Sequence, residues 1–335
     1  MKKKVLVFLV VAAVLLGSCS KKTNEKYPLG EYDLVYSGST CGSPISIAQL
    51  KGYYDEQGIK INLVSGTTFE STRAALDSGK VPLANGDFQF FPSIQNGVDI
   101  KLIAGLHEGC IKIIVPVDSP IKTLLDLKDK TIAVDEIGGT PMSVASVAAG
   151  SVGINPKEEI KWVPYPNDLI LEAVKKGDAQ VVAAWDPFAT QAENSGEWRV
   201  LLDIATDPLF AGRNCCFLFA SGDLIKKNPK VIASTLRAIQ NAVAFEGAHP
   251  QEAAELLIKE KKVATDDVAL VSGLLGHYKY GEHSSRNDNA KAKEDAVYFA
   301  GWLSKIGYLD KDLDAQKFID DMWVDIYDLE SAAQK

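Results

Sequence analysis

Basic residues are in short supply in this chain: 36 Lys+Arg stand against 44 Asp+Glu, for a formal net charge of −8, and only five of the basic residues are arginines. That balance excludes a nucleic-acid binder, which needs a basic footprint to replace phosphate counterions. Long apolar runs are lacking too. The single one, Val5 to Leu16, falls short of the ~20 residues of a transmembrane helix, which excludes a polytopic membrane protein. No Gly-x-Ser-x-Gly elbow, Walker loop or His-Glu-x-x-His pair occurs, so the commonest hydrolase, nucleotidase and metalloprotease signatures are absent. What is there is a globular composition, 46% hydrophobic and 24% charged over 335 residues, enough for two lobes of ordinary size.

Lys2, Lys3 and Lys4 precede the apolar run, and Leu16-Gly17-Ser18-Cys19 follows it. A charged n-region, a short h-region and small residues are the parts of an export signal. Leu-Gly-Ser-Cys resembles the lipobox of bacterial lipoproteins, which implies that residues 1–19 form a lipoprotein signal and that Cys19 is the acylated residue. The expected protein is exported and held by its N-terminal lipid on the outer side of the cytoplasmic membrane or in the periplasm. Residues 20–31 read as a tether.

From Tyr32 onward, short β-branched runs alternate with helical patterns, which predicts an α/β fold with largely parallel strands. An internal repeat reinforces this reading. Gly42-Ser43-Pro44-Ile45-Ser46-Ile47-Ala48 matches Gly139-Thr140-Pro141-Met142-Ser143-Val144-Ala145. Further on, Ala75-Leu76-x-x-Gly79 matches Ala173-Val174-x-x-Gly177, and Asp87-Phe88 corresponds to Asp186-Pro187-Phe188. Ser43 and Thr140 are expected as helix N-caps with Pro44 and Pro141 at the first helical position. In open α/β sheets the groups at strand C-termini face the ligand crevice. Two such lobes facing each other make a clamp. The remainder from Gly222 is predicted to be mostly helical, with proline at the helix starts at Pro229 and Pro250.

Several segments together resemble one family. They are Ile45–Gly58, ending Gly-Tyr-Tyr-Asp-Glu-Gln-Gly; Gly79 to Asp87; Ile121–Lys130, leading into Thr131-Ile132-Ala133-Val134; Trp185-Asp186-Pro187-Phe188; and Asn214-Cys215-Cys216-Phe217. The chain resembles type II substrate-binding proteins of ABC importers, in the nitrate/sulfonate/taurine and thiamine-pyrimidine-precursor group. The resemblance implies a two-lobed periplasmic-binding-protein fold of type II. Each lobe would be a mixed, mostly parallel sheet flanked by helices, with a helical C-terminal segment. Lobe 1 would be residues 32–116 plus 214–335, and lobe 2 residues 117–213. It further implies a monomer that captures a small organic solute, a sulfonate- or nitrate-like anion or a pyrimidine-like heterocycle, and hands it to permease subunits. No cofactor is implied. The cysteine-rich segment is also similar to that of thiamine-pyrimidine synthases of the same fold, but two adjacent cysteines are fewer than those enzymes have, and a lipobox does not suit a cytosolic enzyme. A binder, not an enzyme, is therefore expected.

The cleft is expected to be lined by Ser39, Thr40 and Cys41; by His107 and Cys110; by Gly139 and Thr140; and by Asp87, Trp185, Asp186, Asn214, Cys215 and Cys216. The two repeated helix N-termini would offer backbone N–H groups to an anion or serve only their own helices. Trp185 could stack on a flat ligand or pack at the lobe edge. Asp87 and Asp186 could read an amine or ring N–H, or cap the helices after them. The thiols leave three readings open: buried groups shaping the pocket, a disulfide such as Cys41–Cys110, or a soft-metal site formed by Cys41, Cys110, Cys215 and Cys216 with His107. His249, His277 and His283 lie in the helical tail and are assigned no role.

Overall fold

The computed structural model describes residues 26–65, 68–278, 286–325, 328–329 and 331, with the side chains of 286–288 left aside. The expected export signal, Cys19 and His283 lie outside these residues. Among the described residues no helix is long and apolar enough to cross a membrane. Residues 26–30, expected as tether, are docked: the Leu29 N–H donates to the Gly58 carbonyl, and Lys26 and Tyr27 both reach Asp55.

The chain opens with β1 (Glu31–Tyr36), α1 (Ser43–Leu50), α2 (Tyr53–Glu56), β2 (Lys60–Ser65) and α3 (Phe69–Asp77). It continues through β3 (Leu83–Gly86), a 3-10 turn at Phe88–Phe90, α4 (Phe91–Gln95) and β4 (Ile100–Glu108). A second series follows: β5 (Ile111–Pro116), β6 (Lys130–Val134), α5 (Thr140–Ser151), β7 (Ile160–Pro164), α6 (Ile170–Lys175), β8 (Val181–Trp185), α7 (Phe188–Asn194) and β9 (Trp198–Asp203). Then come β10 (Asn214–Ser221) and the helices α8 (Gly222–Lys227), α9 (Pro229–Ala248), α10 (Pro250–Lys259), α11 (Val268–His277), α12 (Arg286–Lys305) and α13 (Ala315–Met322).

The strands form a parallel pair β1-β2, a three-stranded sheet β3-β10-β4 and a five-stranded sheet β7-β6-β8-β5-β9. β6 runs parallel to β7 and β8, while β5 is antiparallel to β8 and β9. β10 returns antiparallel between β3 and β4. Every residue of β10 is buried, as its unbroken apolar run requires of a strand covered on both faces. The aromatic core gathers around that strand: Phe219 packs on Phe90 and Phe91, and Phe88 stacks on Phe299 of α12 at 4.4 Å. The result is an α/β fold with sheets flanked by helices and a helical C-terminal segment.

Local structure departs from the sequence reading at instructive places. The helical stretch that starts after Gly42 is broken at Gly52, which adopts φ +77 and separates α1 from α2. β5 belongs to the five-stranded sheet, paired with β8 and β9, although residues 111–116 are expected with the first lobe. Ser43 and Thr140 are not N-caps. Gly42 and Gly139 take that position, and neither helix has a side-chain cap. The reason is tertiary: the Ser43 hydroxyl donates to the buried Glu246 of α9 instead of serving its own helix.

Candidate functional site

Nine of the expected site residues fall around one point. Cys41 lies in the turn between β1 and α1, His107 near the end of β4, Cys110 in the crossing to β5, and Cys215 and Cys216 at the start of β10. β-Bridge pairing sets Cys216 opposite His107. All five are buried, His107 completely, and the four thiols are free. The bridge considered for Cys41–Cys110 is thus not formed. The ligand atoms of Cys41, His107, Cys110 and Cys216 lie within 4.8 Å of one another. Cys110 Sγ is 3.7 Å from Cys216 Sγ and 3.9 Å from Cys215 Sγ, and the adjacent thiols are 3.9 Å apart.

The neighbours orient this cluster. His107 Nδ1 lies 3.0 Å from the Glu108 carbonyl, which can only accept, so Nδ1 carries a proton and Nε2 is left for the thiols. The Cys41 thiol donates to Ser39 Oγ, which also accepts from the Gly42 N–H. Thr40 Oγ1 pairs with Tyr278 OH at 2.7 Å, and that hydroxyl donates on to Asp186. Asn214, at the head of the Cys215-Cys216 strand, is held by Asp295 of α12, which accepts from its N–H at 2.9 Å and its side-chain amide at 3.1 Å.

Within the cluster, burial and mutual hydrogen bonds pull the titratable groups in opposite directions. Burial alone would lower the His107 pKa, but hydrogen bonds to Cys215 and Cys41 reverse this and push it up to about 10. Hydrogen bonds from Cys110 and Cys216 hold the Cys41 thiol low despite burial. For Cys215 burial acts upward, and Cys110, Cys216 and His107 together bring it down. Cys110, donating to Cys215, Cys216 and Cys41, is pushed up. Burial also raises the carboxyls of Asp87, Asp186 and Glu246. Glu246 stands at the N-terminus of α1, so that helix end faces a buried carboxyl and does not present an open anion site.

Asp87 and Asp186 both cap. Asp87 Oδ1 accepts from the Gln89 N–H at 2.6 Å, and Asp186 Oδ1 accepts from the Thr190 N–H at 3.1 Å. Trp185 is half-buried and donates its indole N–H to Asn167. Gly139 is a buried N-cap, its N–H bonded to the Glu136 carbonyl, and Thr140 opens α5 while its hydroxyl supports the Asp87 carboxylate.

A cavity of about 190 Å³ lies elsewhere, between α3, the Phe88–Phe90 turn and α4 on one side and α5 on the other. Its walls are mainly Phe69, Phe88, Met142, Leu303 and Tyr308, with Gln89, Ser143 and Ser146 as polar groups. None of the expected site residues lines it. Asp87-Phe88 joins the two places: Asp87 is close enough to feel the Cys215 charge, while Phe88 forms cavity wall. Two contacts span the cavity region: the Phe69 N–H donates to Glu136 at 2.9 Å, and Ser146 meets Tyr308 at 3.3 Å.

Asp135, at the end of β6, supplies a pH-dependent prediction. Burial pushes its carboxyl up to about 6, the Glu136 backbone N–H opposing and the Glu136 charge adding. The folded chain therefore holds this proton more tightly than the unfolded one. Stability is fullest below the unfolded value and declines as pH rises from about 4 to about 6, by at most about 3 kcal/mol. The side chain keeps partial exposure, so the effect lies below that bound. Asp135→Asn is expected to raise the melting temperature at pH 7 and leave it unchanged near pH 4; an equal shift at both would contradict the assignment.

A family model described as NMT1/THI5 like matches residues 41–253. Among curated proteins none matches. Solved structures do. The alkanesulfonate-binding protein SsuA from Xanthomonas axonopodis pv. citri, bound to MOPS, is 18% identical, with 88% of this chain and 98% of that chain covered and a TM-score of 0.72. The periplasmic nitrate-binding protein NrtA from Synechocystis PCC 6803 is 18% identical, covering 90% and 88%, at TM-score 0.70. The desulfurization enzyme DSZB is 14% identical, covering 90% and 99%, at TM-score 0.59, so the architecture carries catalysis as well as binding.

Proposed function

Because the chain belongs to the NMT1/THI5-like family, we propose that it is the solute-binding component of an ABC-type importer, exported by residues 1–19, acylated at Cys19 and working as a monomer. Two lobes close on a small organic solute and present it to permease subunits. The five-stranded sheet is the second lobe. The first crossing is taken at Gly109-Cys110, ahead of β5 and not at Pro116, and the second at Arg213-Asn214. The observation that carries this reading is the cavity between α3, the Phe88–Phe90 turn and α5, because it lies between elements of the two lobes.

Size and lining narrow the solute class. An apolar cavity of about 150 Å³ holds benzene, so about 190 Å³ accommodates one six-membered ring with a substituent. Phenyl, thioether and phenol groups form the walls, and among the described residues no lysine or arginine lines it. Of the solutes considered, an uncharged pyrimidine-like heterocycle fits these walls better than a sulfonate or nitrate, whose charge would go unpaired. Capture without chemistry is the reading adopted, as no nucleophile–base pair borders the cavity among the described residues.

Thermal-shift screening of pyrimidines, alkanesulfonates and nitrate, followed by small-angle scattering, tests this. A solute at 100 times its Kd stabilises the folded chain by about 2.7 kcal/mol, and closure should reduce the radius of gyration. The expected result is a raised melting temperature with heterocycles and compaction on binding. A response confined to sulfonates or nitrate would overturn the solute class. Binding without compaction would overturn the clamp.

A further inference from the structure

The solute cavity leaves the buried thiols and imidazole unused, and they have a chemistry of their own. We infer that Cys41, His107, Cys110 and Cys216 form a site for a single thiophilic divalent metal ion, with zinc as the representative ion. This goes beyond the solute reading and does not rest on it.

Four donors from three separated stretches of chain converge here, all buried, with every ligand atom within 4.8 Å of the others. A tetrahedral zinc with Zn–S bonds of about 2.3 Å sets its sulfurs about 3.8 Å apart. Cys110 Sγ and Cys216 Sγ stand 3.7 Å apart, so an ion fits with little movement of either. The span is too small for a polynuclear iron–sulfur cluster, whose thiolates sit on separate corners. Charge selects the valence. Three thiolates and a neutral imidazole leave −1 around a divalent ion but −2 around a monovalent one, and a larger uncompensated charge is harder to bury beside Asp87, Asp186 and Glu246.

The surroundings complete the assignment. The Glu108 carbonyl on Nδ1 fixes the ring so that Nε2 serves as the ligand, the usual arrangement for a metal-bound histidine. Cys215 is the spare thiol: its Sγ lies against the His107 carbonyl at 3.8 Å, and it is not one of the four mutually close donors. Binding displaces the protons held by the thiols and imidazole to solvent and changes no oxidation state.

The test uses the full chain, reduced and stripped of metal by a chelator. Zn²⁺ is titrated against a chromophoric competitor, and Co²⁺ serves as the spectroscopic probe. The expected result is one ion per chain, with the intense ligand-field bands of tetrahedral cobalt and thiolate-to-cobalt charge transfer. Cys41→Ser, Cys110→Ser and Cys216→Ser should each lower Zn²⁺ affinity by more than about 100-fold, beyond what outer-sphere changes cause, while Cys215→Ser stays within about 10-fold. Circular dichroism of each variant establishes folding, and the wild-type cobalt spectrum tests the site without any substitution. Weak octahedral cobalt bands, no binding, or an affinity in a folded Cys110→Ser variant equal to wild type would overturn the site. A loss in Cys215→Ser as large as in Cys216→Ser would overturn the ligand set. Solute-induced thermal shifts on the metal-free chain read the importer proposal separately.

Discussion

Gly109→Ala is expected to destabilise the chain by about 2–5 kcal/mol, the sum of a left-handed backbone cost and of overpacking. Gly109 has φ +53, and a Cβ there would lie 2.6 Å from the Ala205 Cβ and 2.8 Å from the Ala205 Cα. The obstacle includes backbone, so no side-chain rotation relieves it. The position is the crossing between β4 and β5, one residue before Cys110, so the displacement is delivered to the thiol cluster. Gly177→Ala is the control: φ is +82 but nothing lies within 4 Å, leaving the backbone cost alone, about 1–2 kcal/mol. Chemical denaturation of both variants checks this. Equal losses would mean that the Ala205 contact is not felt.

Asp295→Ala carries an effect of similar size by a different route. The Asp295 carboxylate is 3% exposed, accepts two hydrogen bonds from Asn214 and pairs with Lys291. Hydrogen bonds to charged groups contribute about 1.5–3 kcal/mol each, so losing both costs roughly 3–6 kcal/mol and strands two buried donors. Because Asn214 leads directly into Cys215-Cys216, Asp295 is a positioning residue for the thiols. Asp295→Asn keeps one acceptor and should restore part of the stability. If Asp295→Ala melts like wild type, or Asp295→Asn is no better than Asp295→Ala, the carboxylate does not hold Asn214 as described.

The comparison between sequence and structure turns on what each residue type signals alone. Cysteines are conspicuous in a chain with an expected export signal, so Cys41, Cys110, Cys215 and Cys216 could be named together although they come from a turn, a crossing and a strand. Their separation could not be: bridge, thiol pocket and metal site all need the same residues, and only the placement of His107 opposite Cys216 makes the fourth donor specific. The cavity walls were illegible for the opposite reason. Phe69, Phe88, Met142 and Tyr308 read as ordinary core residues, and nothing local distinguishes an aromatic side chain that fills space from one that borders it. Asp295, an acid in the middle of a long helix, reads as a solvated face until Asn214 is seen beside it. The repeat correctly marked the starts of α1 and α5, yet Ser43 serves Glu246 and not its helix, because a buried long-range partner outweighs a local cap. β5 was hidden because its strand pairing is non-local and its neighbour β9 is equally short.

The hydrogen bond from the Phe69 N–H to Glu136 reaches between α3 and the loop before α5, and it is also a clock. Phe69 is the first residue of its helix, so its amide has no carbonyl within the helix to shield it from solvent. Among the described residues it is held by a carboxylate that belongs to the other side of the cavity. On the proposed solute-binding function, deuterium is expected to enter at that amide when the two sides part, and more slowly when a bound solute holds them together. A single exchange rate, read at one position, would count how often the proposed clamp opens.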